Sequence, residues 1–189
     1  MARNLFKMLM IAGCLLVSGY SNAQLYINGA QFFIESGATV TVQGDLTSNV
    51  DILGTGKVLL KGSSNQNIDM NNFTIPALEI DNVSNATLLS AAKIGTNLTF
   101  TNGNIILGSN NLTMASAATI TGPGISKFIV TNSTGKLVKS SLGGAPGFIY
   151  PVGNSPITYN PVTIVNTGTV DDIAVRALGN ALTTGLTGS

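Results

Sequence analysis

Histidine and tryptophan are absent from these 189 residues, and cysteine occurs once. Without an imidazole the chain lacks the commonest general base, proton shuttle and metal ligand, and one thiol excludes an intrachain disulfide framework. Charged residues make up only 9% of the chain, against about a quarter in a typical soluble domain. Thr, Asn, Ser and Gly stand where Lys and Glu usually stand, which argues against a helical bundle or coiled coil. A formal net charge of +1 provides no electrostatic footprint for nucleic acid. Long apolar runs are also missing. The longest, Met8 to Val17, falls short of the ~18 residues a membrane span requires. Disorder is disfavoured as well, because aliphatic residues recur regularly at near-zero net charge.

What is present begins with an address. Arg3 and Lys7 precede the apolar run, and Ser21-Asn22-Ala23 offers small residues before Gln24, the order expected of a secretory signal peptide over residues 1–23. Ile11-Ala12-Gly13-Cys14 also matches a bacterial lipobox, in which Cys14 is lipidated. The short stretch between Lys7 and Cys14, and the apolar residues after Cys14, favour simple cleavage after Ala23 instead. The expected product is exported, has neither Cys nor His, and carries seven basic against eight acidic residues. Its stability must come from a packed core or a repeated ladder.

From Leu25 onward, short runs rich in Val, Ile, Thr and Phe are separated by Gly, Asn and Ser steps: QFFIES (31–36), ATVTVQ (38–43), KVLLK (57–61), NLTFT (97–101), NLTM (111–114), ATITG (118–122) and SKFIVTN (126–132). Strands this short, at intervals of about 7–12 residues, indicate an all-β fold. Sandwich, barrel and solenoid share that pattern, and repetition decides between them. Leu78, Leu88 and Leu98 are evenly spaced, and Asn at successive turns suits amide stacking from coil to coil. The reading is a parallel β-solenoid over 24–142. Ser141 to Gly147 is a Gly/Pro stretch read as a linker or corner. The strand-like runs after it, within 148–177, read as the start of a second, β-sandwich-like module over 143–189, or as a cap on the solenoid.

GTGKVLLKGSSNQNIDMNNFTIPALEIDN (54–82), NLTFTNGNIILGSNNLTMASAATITG (97–122) and FIYPVGNSPITYNPVTIVNTGTVDDIAVRA (148–177) resemble the repetitive extracellular regions of Bacteroidota surface proteins, many of them cargo of the type IX secretion system. The resemblance covers most of residues 38–189. It implies a β-helical or β-rich scaffold at the cell surface. The C-terminal sorting domain of such cargo is not within these residues, so a longer natural product is expected.

Candidate chemistry is sparse. Gly54-Thr55-Gly56-Lys57 and Gly135-Lys136 lack the upstream Gly and following Ser/Thr of a phosphate loop, and both read as hairpin-like turns. Glu79 and Asp81 lie two apart and so share a strand face. Asp69 on an adjacent coil would complete an acidic trio of the kind glycoside hydrolysis uses, although no aromatic or Arg cluster accompanies it. Asp69, Glu79 and Asp81 are therefore the surface candidates, with solvated strand carboxylates the blander reading. Asp171-Asp172 reads as a turn before a strand, without a calcium-loop pattern. Phe32, Phe33, Phe73, Phe100 and Phe128 divide between core filling and an exposed sugar-stacking platform. No cofactor and no metal is expected. The functional expectation is a secreted or cell-surface, non-enzymatic structural or adhesive scaffold that meets surface glycans or other cell-surface proteins. The alternative is a carbohydrate-binding module of a larger secreted enzyme.

Overall fold

A computed structural model describes residues 23–179; residues 1–22 of the expected signal peptide, Cys14 among them, lie outside these. The chain winds as a parallel β-solenoid of about six turns with no helix among the described residues. Its first coil holds β1 (Leu25–Ile27), β2 (Phe32–Ile34) and β3 (Thr39–Val42), and its second β4 (Leu46–Ser48), β5 (Ile52–Gly54) and β6 (Lys57–Leu60). The third holds β7 (Gln66–Asp69) and β8 (Thr74–Asp81), and the fourth β9 (Ala86–Leu88) and β10 (Ala92–Asn102). The fifth holds β11 (Ile105–Ile106), β12 (Leu112–Met114) and β13 (Thr119–Thr121), and the sixth β14 (Ile129–Val130) and β15 (Leu137–Tyr150). Then follow β16 (Val152–Gly153) and β17 (Val162–Val175).

The first five coils contribute to three walls, and the sixth to the first two of them. The first is a seven-stranded parallel sheet in the order β1-β4-β7-β9-β11-β14-β16. The third stacks β3, β6, the second half of β8, the second half of β10 and β13. The second wall, between them, starts with the β2–β5 pair and continues through the opening residues of β8, β10, β12 and β15. Strands β8 and β10 bend from one wall to the next, at Pro76 and at Gly95-Thr96, and the ladder between them breaks register there. Pro76 can sit at this bend because a corner has no ladder position for its missing N–H to fill. Its carbonyl accepts the Thr96 hydroxyl at 2.8 Å, which ties one bend to the next.

Alternation decides what lies inside. Val42, Leu60, Ile80 and Phe100 stand in register on the third wall, as do Val40, Val58, Leu78, Leu98 and Ile120. All but Val40 and Ile120 are fully buried. Such columns bury a continuous core that no single coil could form. Leu78 and Leu98 are direct partners, whereas Leu88 lies on the first wall in β9. The ten-residue spacing is thus half a coil rather than one.

The Gly/Pro stretch Ser141–Gly147 falls inside β15. This strand pairs antiparallel with β17 from Leu137 to Tyr150, and its opening residues Leu137–Lys139 pair parallel with β12 on the other side. Residues beyond Gly143 also return to the first wall as β16, beside β14. The described part of the region is therefore joined to the solenoid by both of its large sheets. Antiparallel β17 ends the parallel stack of the second wall, and Arg176 fastens it by donating to the Ser133 carbonyl at 3.1 Å. Tyr150 is buried here, and its hydroxyl donates to the Ile173 carbonyl at 3.1 Å.

Candidate functional site

Glu79 and Asp81 project outward from the third wall, each between a cation of the coil below and a neutral donor of the coil above. Lys57 pairs with Glu79 Oε2 while the Thr101 hydroxyl donates to its Oε1 at 2.7 Å. Lys61 stands 2.9 Å from Asp81 Oδ2, and Asn102 Nδ2 donates to Oδ1 at 2.7 Å. Hydrogen bonds from Lys57 and Thr101 hold the Glu79 carboxyl below its ordinary range. Those from Asn102 and Lys61 do the same for Asp81, and the Asp81 carboxylate raises Lys61 in turn. Neither carboxyl suits proton donation near neutral pH, because a general acid requires a raised pKa.

Asp69 does not join them. It lies at the end of β7 on the first wall, whereas Glu79 and Asp81 belong to the eight-stranded sheet. The expected trio fails because the chain turns a corner between Asp69 and Thr74, so the three carboxylates occupy different walls of one coil. Asp69 Oδ1 instead accepts the Ser90 hydroxyl of the next coil at 2.6 Å. Among the described residues no three His, Cys, Asp or Glu side chains are grouped to hold a metal ion.

The remaining carboxylates follow the same logic at the corners. Asp45 Oδ1 accepts the Asn67 backbone N–H at 2.8 Å and Asp51 Oδ1 that of Thr74 at 2.6 Å. Asp171 and Asp172 lie within β17 instead of in a turn before it, and Asp172 Oδ1 accepts the Ser141 N–H at 2.8 Å. Of the eight acidic residues, Asp171 accepts only the N–H of its neighbour Asp172, at 2.8 Å, and exposed Glu35 has no such bond. Asn does the same work without charge. Buried Asn104 donates to Asn85 Oδ1 at 3.1 Å and accepts the Phe128 N–H at 3.0 Å, linking three successive coils. These are one-step links at particular corners, not the unbroken amide ladder that recurrent Asn suggested.

Gly54-Thr55-Gly56-Lys57 joins β5 to β6, which lie in different sheets, so it is a solenoid corner and not a hairpin. The Thr55 and Gly56 N–H groups both donate to the Ile34 carbonyl below, at 3.2 and 3.0 Å. Phe100 and Phe128 fill the core, and Phe32 packs against it. Phe33 is 59% exposed beside its register partner Leu53 and Phe73 is 36% exposed, so the five aromatics divide between core and surface.

One feature was invisible in the sequence. Lys139 points inward from β15 and is 5% exposed. Its ammonium donates to the carbonyls of Ala115, Ser116 and Ala118 at 2.7–2.8 Å and lies 5.0 Å from the centre of the Phe148 ring. Burial lowers its pKa. All three ammonium donors are used, so Lys139 closes the corner of the fifth coil and offers nothing to a ligand. Two cavities of about 300 and 220 Å³ lie nearby, and Ser116 and Ser141 line both. No family model, curated protein or solved structure matches the chain. No helix among the described residues is long and apolar enough to cross a membrane.

Proposed function

We propose that the chain is a secreted, non-catalytic scaffold segment of a bacterial surface protein, a stiff spacer whose outer walls serve adhesion. The observation carrying this reading is the disposition of its carboxylates: seven of eight are engaged in bonds, most of them running from coil to coil. Acidic groups held this way fix the stacking of the walls and leave no free pair to flank a scissile bond. Export rests on the signal-peptide pattern of residues 1–23. Thr- and Asn-rich outer faces of low charge suit many weak contacts with neutral polymer.

Assays of the folded chain against a panel of polysaccharides are expected to give no turnover. Hydrolase or lyase activity that disappears in Asp81→Asn would overturn the reading. The second reading, a carbohydrate-binding module of a larger secreted enzyme, is favoured by the hydroxyl-lined cavities of the second wall. Saturable binding to one sugar class distinguishes it from diffuse adhesion.

A further inference from the structure

The larger of the two cavities opens on the outer face of the second wall. There Thr74, Lys93 and Thr113 stand in register on three successive coils, with Ser140 and Ser141 of the sixth coil closing one side. At about 300 Å³ it reaches the lower end of the ~300–1,000 Å³ range of small-molecule clefts. Its lining combines several hydroxyls with one cation. Lys93 is exposed and, among the described residues, has no carboxylate within ion-pairing distance, in contrast to Lys57 and Lys61.

A second, independent observation marks the same place. Ser141, which the two cavities share, adopts φ +52°, the left-handed region that costs a non-glycine residue of order 1 kcal/mol or more. Asp172 holds its N–H, and backbone conformations of this kind concentrate at binding sites. Beyond Ser141 the smaller cavity continues past Pro146 and Phe148; the Lys139 ammonium lies over one face of that ring, which leaves Pro146 and the rest of the ring as apolar lining.

We infer that this cleft binds an anionic saccharide, its carboxylate on Lys93 and its hydroxyls on Thr74, Thr113 and Ser140, with the chain running on across Ser141 toward Phe148. A neutral sugar would leave the ammonium unused, and an inorganic anion would leave the hydroxyl row unused. The inference deepens the second, carbohydrate-binding reading above and rests on it only for access to extracellular polymer.

Calorimetric titration of the folded chain with a galacturonate hexamer and a neutral galactan hexamer tests it. The acidic oligomer is expected to bind, more weakly as salt rises. Lys93→Gln should weaken it roughly tenfold or more, the effect of losing one charge-assisted hydrogen bond. Lys93→Arg and the distant Lys127→Gln should bind as wild type. Equal binding of both oligomers, no binding by either, or equal losses in Lys93→Gln and Lys127→Gln overturns the inference. Saturable binding of the acidic oligomer favours the carbohydrate-binding reading over diffuse adhesion, whereas failure of the inference leaves the scaffold reading standing, to be overturned only by catalytic turnover in the separate polysaccharide assays.

Discussion

At the scale of the residue, the corners decide which side chains are tolerated. Gly103 has φ +78°, and a Cβ there would stand 1.9 Å from the Asn82 carbonyl oxygen of the coil below. Gly108 also has positive φ, at +57°, but nothing lies within 4 Å of its missing Cβ. Gly108→Ala should therefore cost only the backbone term of about 1 kcal/mol, and Gly103→Ala clearly more, about 2 kcal/mol or above. Urea denaturation of the two variants checks the difference, and equal losses would mean that the close coil approach is not a constraint. The charge columns make a second prediction. Glu79 and Asp81 have folded-state pKa values below their ordinary values of 4.5 and 3.8. Their contribution is thus fully present above the ordinary values and lost as pH falls through the depressed ones. Stability measured below about pH 4.5 should fall less steeply in Glu79→Gln than in wild type. The lysine partners are open to solvent, Lys57 at 37% and Lys61 at 59%, so screening keeps the change small.

At the scale of the element, Leu78 illustrates what stacking is worth. It lies on β8 in register with Val58 below and Leu98 above, and is fully buried. Leu78→Ala should cost about 2–5 kcal/mol, since a rigid column cannot collapse into the space. A loss under 1 kcal/mol in chemical denaturation would refute the columnar core. The short strands and their inward faces were legible because alternation of Val, Ile and Leu is a local signal. The length of β8 and β10 was not, because Pro76 and Gly95 look like breakers in one dimension. In a solenoid they are bends, at which a strand changes wall while keeping its neighbours. Strand β15 hid for a related reason: Ser141–Gly147 has linker composition, yet β17 pairs alongside most of it. The candidate carboxylates were legible as a pair on one face, but their partners stand about 20 residues away on neighbouring coils. No pattern within one strand could show that Lys57 and Thr101 bracket Glu79. Lys139 is the same lesson in reverse, a cation that three carbonyls from a corner 21–24 residues away draw inside.

At the scale of the whole molecule, the parallel ladders all join residues about 18–25 positions apart, and the antiparallel β15–β17 pair is the exception. Stability in such a stack is a sum of coil terms and nearest-neighbour terms, so it need not be uniform along the axis. Among the described strands, β6, β8 and β10 have a neighbour on both sides, while β1, β2, β3 and β17 have one on a single side. A coil flanked twice must break two interfaces to open, and a terminal one only one. Amide hydrogen exchange should therefore be slowest in β6, β8 and β10 and quicken toward β1–β3 and the outer edge of β17. Tyr150 sets the limit at the far end, because burial pushes its phenol up to about 12 and its hydroxyl holds the Ile173 carbonyl. Tyr150→Phe removes that bond at a cost of about 1 kcal/mol. Its effect on exchange should appear in β15 and β17 and fade before β6. If exchange instead quickens equally from β1 to β17, the molecule opens as one cooperative unit and the coil-by-coil account fails. A gradient confined to the ends would show a stack that frays without losing its centre, as the proposed spacer role requires.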